Sequence, residues 1–197
     1  MIDFYFEFAS PYGYLASLRI DEIGARHGRK VAWHPIMLGA ALKLTGSQPL
    51  VHTPLKAPYM KHDLPRFARY LGLPFKAPPV MPANSLPASR AVVWIGQDDP
   101  DLARELARTI FCAHWGEGRD ISRPEQVADI AEHVGIVRDD LLTAVADPAI
   151  KQRLKDQTEA AIERGVFGSP FVFIGDEPFW GADRLDQVEA WLARGGW

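Results

Sequence analysis

With 197 residues, 47% of them hydrophobic and 24% charged, the chain has the balance of a folded globular protein and enough length for one sizeable core. A net charge of −3 gives no basic surface to favour nucleic acid, and no run is long and apolar enough to span a membrane. "MIDFYFEF" lacks the basic start and apolar run of a signal peptide, and the single cysteine, Cys112, excludes an internal disulfide, so a reducing, cytoplasmic setting is expected.

The first element is an alternating strand. In "IDFYFEF", Ile2, Phe4, Phe6 and Phe8 point one way, and Asp3, Tyr5 and Glu7 point the other, as suits a half-buried strand. Ser10 then stands at an N-cap position and Pro11 at the first helical position, where a missing N–H costs nothing. Leu15, Ala16, Ile20 and Ile23 line one face of the helix expected to run to His27-Gly28. Arg19 falls inside that face, so its head needs a polar partner. "KVAWHPI" is a second extended run, which completes a right-handed parallel βαβ unit.

From about Pro54 to Gly165 the pattern turns helical. "DLPRFARYLG", "LPASRAVVWIGQ" and "PDLARELARTIFCAHWG" have helical apolar spacing. "SRPEQVADIAEHVG" opens with a capping-box pattern, Ser122 and Glu125, and closes on Gly135. Two further helices follow, in "DDLLTAVADP" and "PAIKQRLKDQTEAAIERG". The C-terminal stretch returns to β with an apolar run at Phe171–Ile174, a Gly-Asp-Glu-Pro turn, a second short run, and a final amphipathic helix that Asp183 is placed to cap. The order β-α-β, helices, β-β-α predicts an α/β thioredoxin-like fold with an all-helical insertion: 1–40 and 165–197 as the thioredoxin-like domain, and 41–164 as the insertion.

The motifs carry a resemblance over essentially the whole chain. "FYFEFASPYGYLA", "LKAPYMKHDLPRFARYLGLP", "PANSLPASR", "HWGEGRDIS" and "AAIERGVFGSPFVFIGDEPFWGADRL" resemble the DsbA-like thioredoxin superfamily. Within it the branch is that of the kappa-class glutathione transferases and the 2-hydroxychromene-2-carboxylate isomerases. The resemblance implies a glutathione-dependent isomerase of an aromatic-catabolism carboxylate, working by thiolate addition and elimination, and a homodimer. A kappa-like transferase or peroxidase, which consumes glutathione, and a non-catalytic binding protein of the same fold are the alternatives.

Residue by residue, Ser10 alone is accounted for as an N-cap; the resemblance adds a hydrogen bond from its hydroxyl to glutathione's thiolate, close to a helix start that favours anions. An X-Pro bond before a buried strand, as at Pro170 in "GSPF", is open to a cis turn, and the resemblance implies the cis form, with Ser169 offering its backbone to the tripeptide. Trp180, Gly181, Ala182 and Asp183 are expected to hold the γ-glutamyl end, and Lys56 a glutathione carboxylate. Lys43, His52, Thr53, Asn84 and Ser85 are the substrate-binding candidates. His52 and Thr53 stand where the resembling isomerases have asparagine and arginine, so a guanidinium for carboxylate recognition is lacking there. Phe8, Tyr12, Trp115 and Trp180 are candidates for an aromatic wall. Neither the histidines nor Cys112, expected in the core, have metal-ligand spacing.

Overall fold

A computed structural model describes residues 1–197. Strand β1 (Ile2–Phe6) lies between β2 (Val31–Pro35) and β3 (Phe171–Ile174), with β4 (Glu177–Trp180) outermost, giving the order β2-β1-β3-β4. β1 and β2 are parallel, with Ile2 opposite Val31 and Phe6 opposite Pro35; β3 and β4 continue antiparallel. The β3–β4 hairpin turns on Gly175 and Asp176 alone, with Gly175 at φ 62°, so Glu177 and Pro178 belong to the strand and not to the expected four-residue turn. Pro178 is tolerated because β4 is an edge strand.

The expected first helix is two: α1 (Pro11–Ser17) and α2 (Ile20–Arg26). Ser17 turns its hydroxyl back to the Tyr14 carbonyl at 2.7 Å, and the Arg19 N–H reaches only three residues back, to Ala16 at 3.0 Å. Arg19 finds its polar partner in Asp186, at 2.8 Å. The helices that follow are α3 (Leu38–Leu44), α4 (Lys56–Leu71), α5 (Leu86–Ile95), α6 (Pro100–Phe111), α7 (Pro124–Ala131), α8 (Arg138–Ala146), α9 (Pro148–Glu163) and α10 (Leu185–Arg194). The cap of α7 sits one residue later than expected: Gln126 Oε1 accepts the Arg123 N–H at 3.0 Å.

Phe4 and Phe6 on one sheet face join Phe111, Leu106 and Leu141 of the helices in a single continuous core. The opposite face is covered as well. Tyr5, Phe171 and Phe173 pack with Ala161 of α9 and with Val166 beyond it. The Asp3-Tyr5-Glu7 side of the first strand is therefore not a solvent face; Glu7 is only 7% exposed. Arg164 closes this side, donating to Asp3 at 2.8 Å and lying 4.1 Å from the Phe173 ring centre. No helix is long and apolar enough to cross a membrane.

Candidate active site

The site forms where β1 ends. Ser10 caps α1 in extended backbone geometry (φ −89°, ψ 112°), and its hydroxyl oxygen accepts the Gly13 N–H at 3.1 Å. The same hydroxyl donates to the Ser169 carbonyl at 2.9 Å. Ser169 precedes Pro170 through a cis peptide bond, and its own hydroxyl accepts the Glu7 N–H at 2.9 Å. Gly13 permits this close approach, since a Cβ there would meet Ser169 Oγ at 3.0 Å. Two chain segments far apart in sequence are thus tied together by hydroxyls and backbone groups.

A cavity of about 850 Å³ opens above this junction, a volume within the usual range for small-molecule sites. Among the anticipated residues, Ser10, Thr53, Lys56, Ser85, Ser169 and Trp180 line it. Lys56 is the first residue of α4 and pairs with no carboxylate. Leu55 before it is 89% exposed and has φ 66°, ψ −39°, with the Lys56 N–H bonded to the Pro54 carbonyl at 2.8 Å. That is a three-residue γ-turn in a conformation a leucine adopts only under strain. Trp180, 54% exposed, stands edge-to-face with Phe167 and rests on Gly168, where a Cβ would come within 2.1 Å of the indole nitrogen.

Other anticipated residues stand outside the cavity wall. Lys43 is exposed on α3, and His52 is exposed beside Thr53. Asn84 is occupied locally, donating to the Ser122 carbonyl at 3.2 Å and accepting the Leu86 N–H at 3.3 Å. Pro170 is held behind Ser169 by the Gly181 N–H, which bonds its carbonyl at 3.0 Å. Gly181, at φ 109°, starts a short turn, Ala182–Arg184, ahead of α10; Ala182 is buried there. Asp183 does not cap that helix. Its carboxylate is exposed and pairs with Arg184 at 3.0 Å, and the N-cap position falls on Arg184.

Of the four aromatics, Tyr12, Trp115 and Trp180 line the cavity, whereas Phe8 is fully buried in the core against Phe6 and Phe111. Trp115 reaches the wall from a π-helical turn, Cys112–Gly116, which continues α6, and its indole N–H donates to the Phe8 carbonyl at 2.8 Å. Tyr12 donates to Asp63 at 2.8 Å, tying α1 to α4; burial, then that carboxylate, push its phenol well above the usual range. Cys112 is half-buried and away from the cavity, its thiol pushed up by burial. His114 is fully buried with Nδ1 on the Arg119 carbonyl at 2.7 Å, and burial lowers its basicity.

The residue that the periodicity concealed is Glu7. It lines the cavity, accepts the Leu38 N–H at 3.2 Å and the Ala9 N–H at 3.3 Å, and has its carboxyl pushed up by burial. The only signal in the sequence is an acidic residue three positions before Ser10, at the end of an apolar strand. A second hollow of about 820 Å³ beside α6 holds none of the anticipated residues, and its Arg104 and Arg108 lie next to Asp21.

Comparison with known proteins agrees with this architecture. The family model described as a DSBA-like thioredoxin domain matches residues 1–193. A 2-hydroxychromene-2-carboxylate isomerase of Pseudomonas putida is 33% identical over 98% of this chain and 95% of its own length. Human glutathione S-transferase kappa 1 is 25% identical over 97% and 92%. The solved structure of a 2-hydroxychromene-2-carboxylate isomerase superimposes with a TM-score of 0.90 at 32% identity, covering 98% of this chain and 94% of that one. The cytosolic disulfide reductase DsbM from Pseudomonas aeruginosa, solved with GSH, shares the fold at a TM-score of 0.67 and 20% identity, over 98% and 96%. The chain belongs to the DSBA-like thioredoxin family, on the branch that holds the 2-hydroxychromene-2-carboxylate isomerases.

Proposed function

We propose that the chain is a glutathione-dependent isomerase of 2-hydroxychromene-2-carboxylate or a related carboxylate of aromatic catabolism, with glutathione acting as a cofactor and emerging unchanged. The observation that carries this reading is the Ser10 hydroxyl on the cavity wall, bonded to the Ser169 carbonyl in a site that contains no cysteine. Such a corner cannot run dithiol chemistry and needs its sulfur from a ligand. The relatives named as isomerases, 32–33% identical along nearly their whole length in two genera, support the reaction class.

The donor set fits a tripeptide thiol. The Ser169 carbonyl faces the cavity wall and already accepts one hydrogen bond, as an edge strand accepts an extended peptide. Lys56 offers an unpaired ammonium at the mouth for a carboxylate, and Asp183, exposed beside Gly181, a carboxylate for an amino group. Bound glutathione supplies a thiolate that adds to a conjugated carbon of the substrate and later leaves it. When a peptide N–H takes over the Ser169 carbonyl, the Ser10 O–H is released to turn toward the sulfur while the Gly13 N–H stays on its oxygen. Ser10 then stabilises negative charge without itself attacking, since no histidine lines the cavity to activate it. Tyr12, Trp115 and Trp180 present apolar surface to an aromatic ring, and Thr53 and Ser85 present hydroxyls. Lys43, His52 and Asn84 are exposed and lie outside the cavity wall.

The relation to kappa-class transferases supports a second reading, in which glutathione is consumed. The test is turnover of 2-hydroxychromene-2-carboxylate with glutathione well below substrate concentration. Isomer formed over many cycles with full recovery of free thiol supports the isomerase; loss of thiol in step with product supports the transferase. Calorimetry without any glutathione binding heat would point instead to a scaffold that kept only the fold. A homodimer in the cytoplasm is part of the same proposal, and sedimentation of the purified chain checks the dimer.

A further inference from the structure

Glu7 has no part in the mechanism above, yet it shares the cavity with Ser10 and Ser169. Its carboxylate is buried, and its hydrogen bonds run one way: the N–H groups of Leu38 and Ala9 donate to it, at 3.2 and 3.3 Å. The Ser85 hydroxyl acts in the same sense. This donor set suits an ionised carboxylate, but no cation counters it. Around the cavity the only other charged side chain is Lys56, exposed at the start of α4; Tyr12 of α1 keeps its proton, and neither α3 nor the Ser169 loop brings a charge to the wall. The donors around Glu7 thus suit an anion held by dipoles alone, in a place where burial favours taking up a proton.

We infer that Glu7 is the internal acceptor of the proton lost when a thiol ionises beside Ser10. The inference rests on the glutathione reading above. Two anions lining one cavity repel, and moving one proton onto a carboxylate removes that repulsion without sending charge into solvent. The balance is simple: the ligand's S–H bond breaks, an O–H bond forms on the Glu7 carboxyl, and the charge of the cavity is unchanged. When the thiolate is reprotonated, Glu7 returns to the ionised form. Its backbone supports the same junction, because its N–H holds the Ser169 hydroxyl.

The test measures thiolate and protons together. Glutathione is added to the full-length protein near pH 7 in weak buffer. Ultraviolet absorbance reports thiolate, a pH indicator reports released protons, and S-methylglutathione, which has no thiol, supplies the baseline. The expected result is thiolate with fewer than about 0.2 protons released for each one formed, because the proton stays on a carboxylate. Infrared difference spectra should show a new protonated-carboxyl band with glutathione and none with S-methylglutathione, a measurement that needs no variant. Glu7→Gln should release about one proton per thiolate and lose the band. Release of about one proton per thiolate by the unmodified protein overturns the role of Glu7 and leaves the glutathione site standing. Absence of thiolate overturns both.

Discussion

Replacing Ser10 by alanine removes two hydrogen bonds in the structure as it stands, the cap to the Gly13 N–H and the donation to the Ser169 carbonyl. Losing the cap costs about 1 kcal/mol, and the second bond about as much again. For a chain of this size that lowers Tm by roughly 4–8 °C. The chemical effect is separate. A hydroxyl hydrogen bond to a charged partner contributes about 1.5–3 kcal/mol, which corresponds to about one to two pKa units on the bound thiol. Near neutral pH, turnover should therefore fall about ten- to a hundredfold. Ser10→Gly divides the two effects, because glycine at an N-cap loses only a few tenths of a kcal/mol. Titrating the ultraviolet thiolate band of each complex, alongside thermal melts, is the assay. Alanine and glycine should raise the thiol pKa equally while differing in Tm. A thiol pKa unchanged in both variants would refute the electrostatic role of Ser10.

Lys56→Met should weaken glutathione binding about two- to fivefold with kcat unchanged, as expected for loss of one exposed ion pair, and calorimetry with steady-state kinetics reads both. Leu55→Gly removes the strained turn at φ 66° without sacrificing buried surface, and should raise stability by up to about 1 kcal/mol in urea unfolding. Gly168→Ala drives a Cβ to 2.1 Å from the Trp180 indole, so tryptophan emission should shift and glutathione affinity should fall. Burial raises the Asp3 carboxyl, but the hydrogen bonds from Arg164 and His34 outweigh it and hold it below its ordinary value. The stability Asp3 contributes is thus present above the ordinary carboxylate range and is lost as pH falls through its lowered value. Arg164→Met should cost about 1–2 kcal/mol near pH 7, and the gap to the unmodified protein should narrow as the pH drops below about 4.

Much of the architecture follows from local signals. The aromatic alternation of β1, the Ser10-Pro11 helix start and the apolar run of β3 each specify an element without help from its neighbours. The serine–proline pair before β3 likewise marks a corner that meets α1. What the sequence concealed depends on tertiary covering. Alternation assigns Asp3, Tyr5 and Glu7 to one face but cannot say whether that face is solvated; α9 and Arg164 cover it, and Glu7 is left at the floor of a cavity. Phe8 and Trp115 are both buried in the same core, yet only Trp115, carried on a π-helical turn, also reaches the cavity wall. The Asp183 cap failed for a similar reason, since a short turn after Gly181 delays α10 and leaves that carboxylate to pair with Arg184.

The central claim is that the sulfur of this site arrives with a recyclable ligand. Its most direct test is the conversion of 2-hydroxychromene-2-carboxylate by the purified chain with glutathione at a small fraction of the substrate concentration. The account predicts many turnovers per glutathione, undiminished free thiol at the end, and negligible conversion when glutathione is omitted. Conversion at full rate without glutathione would contradict it.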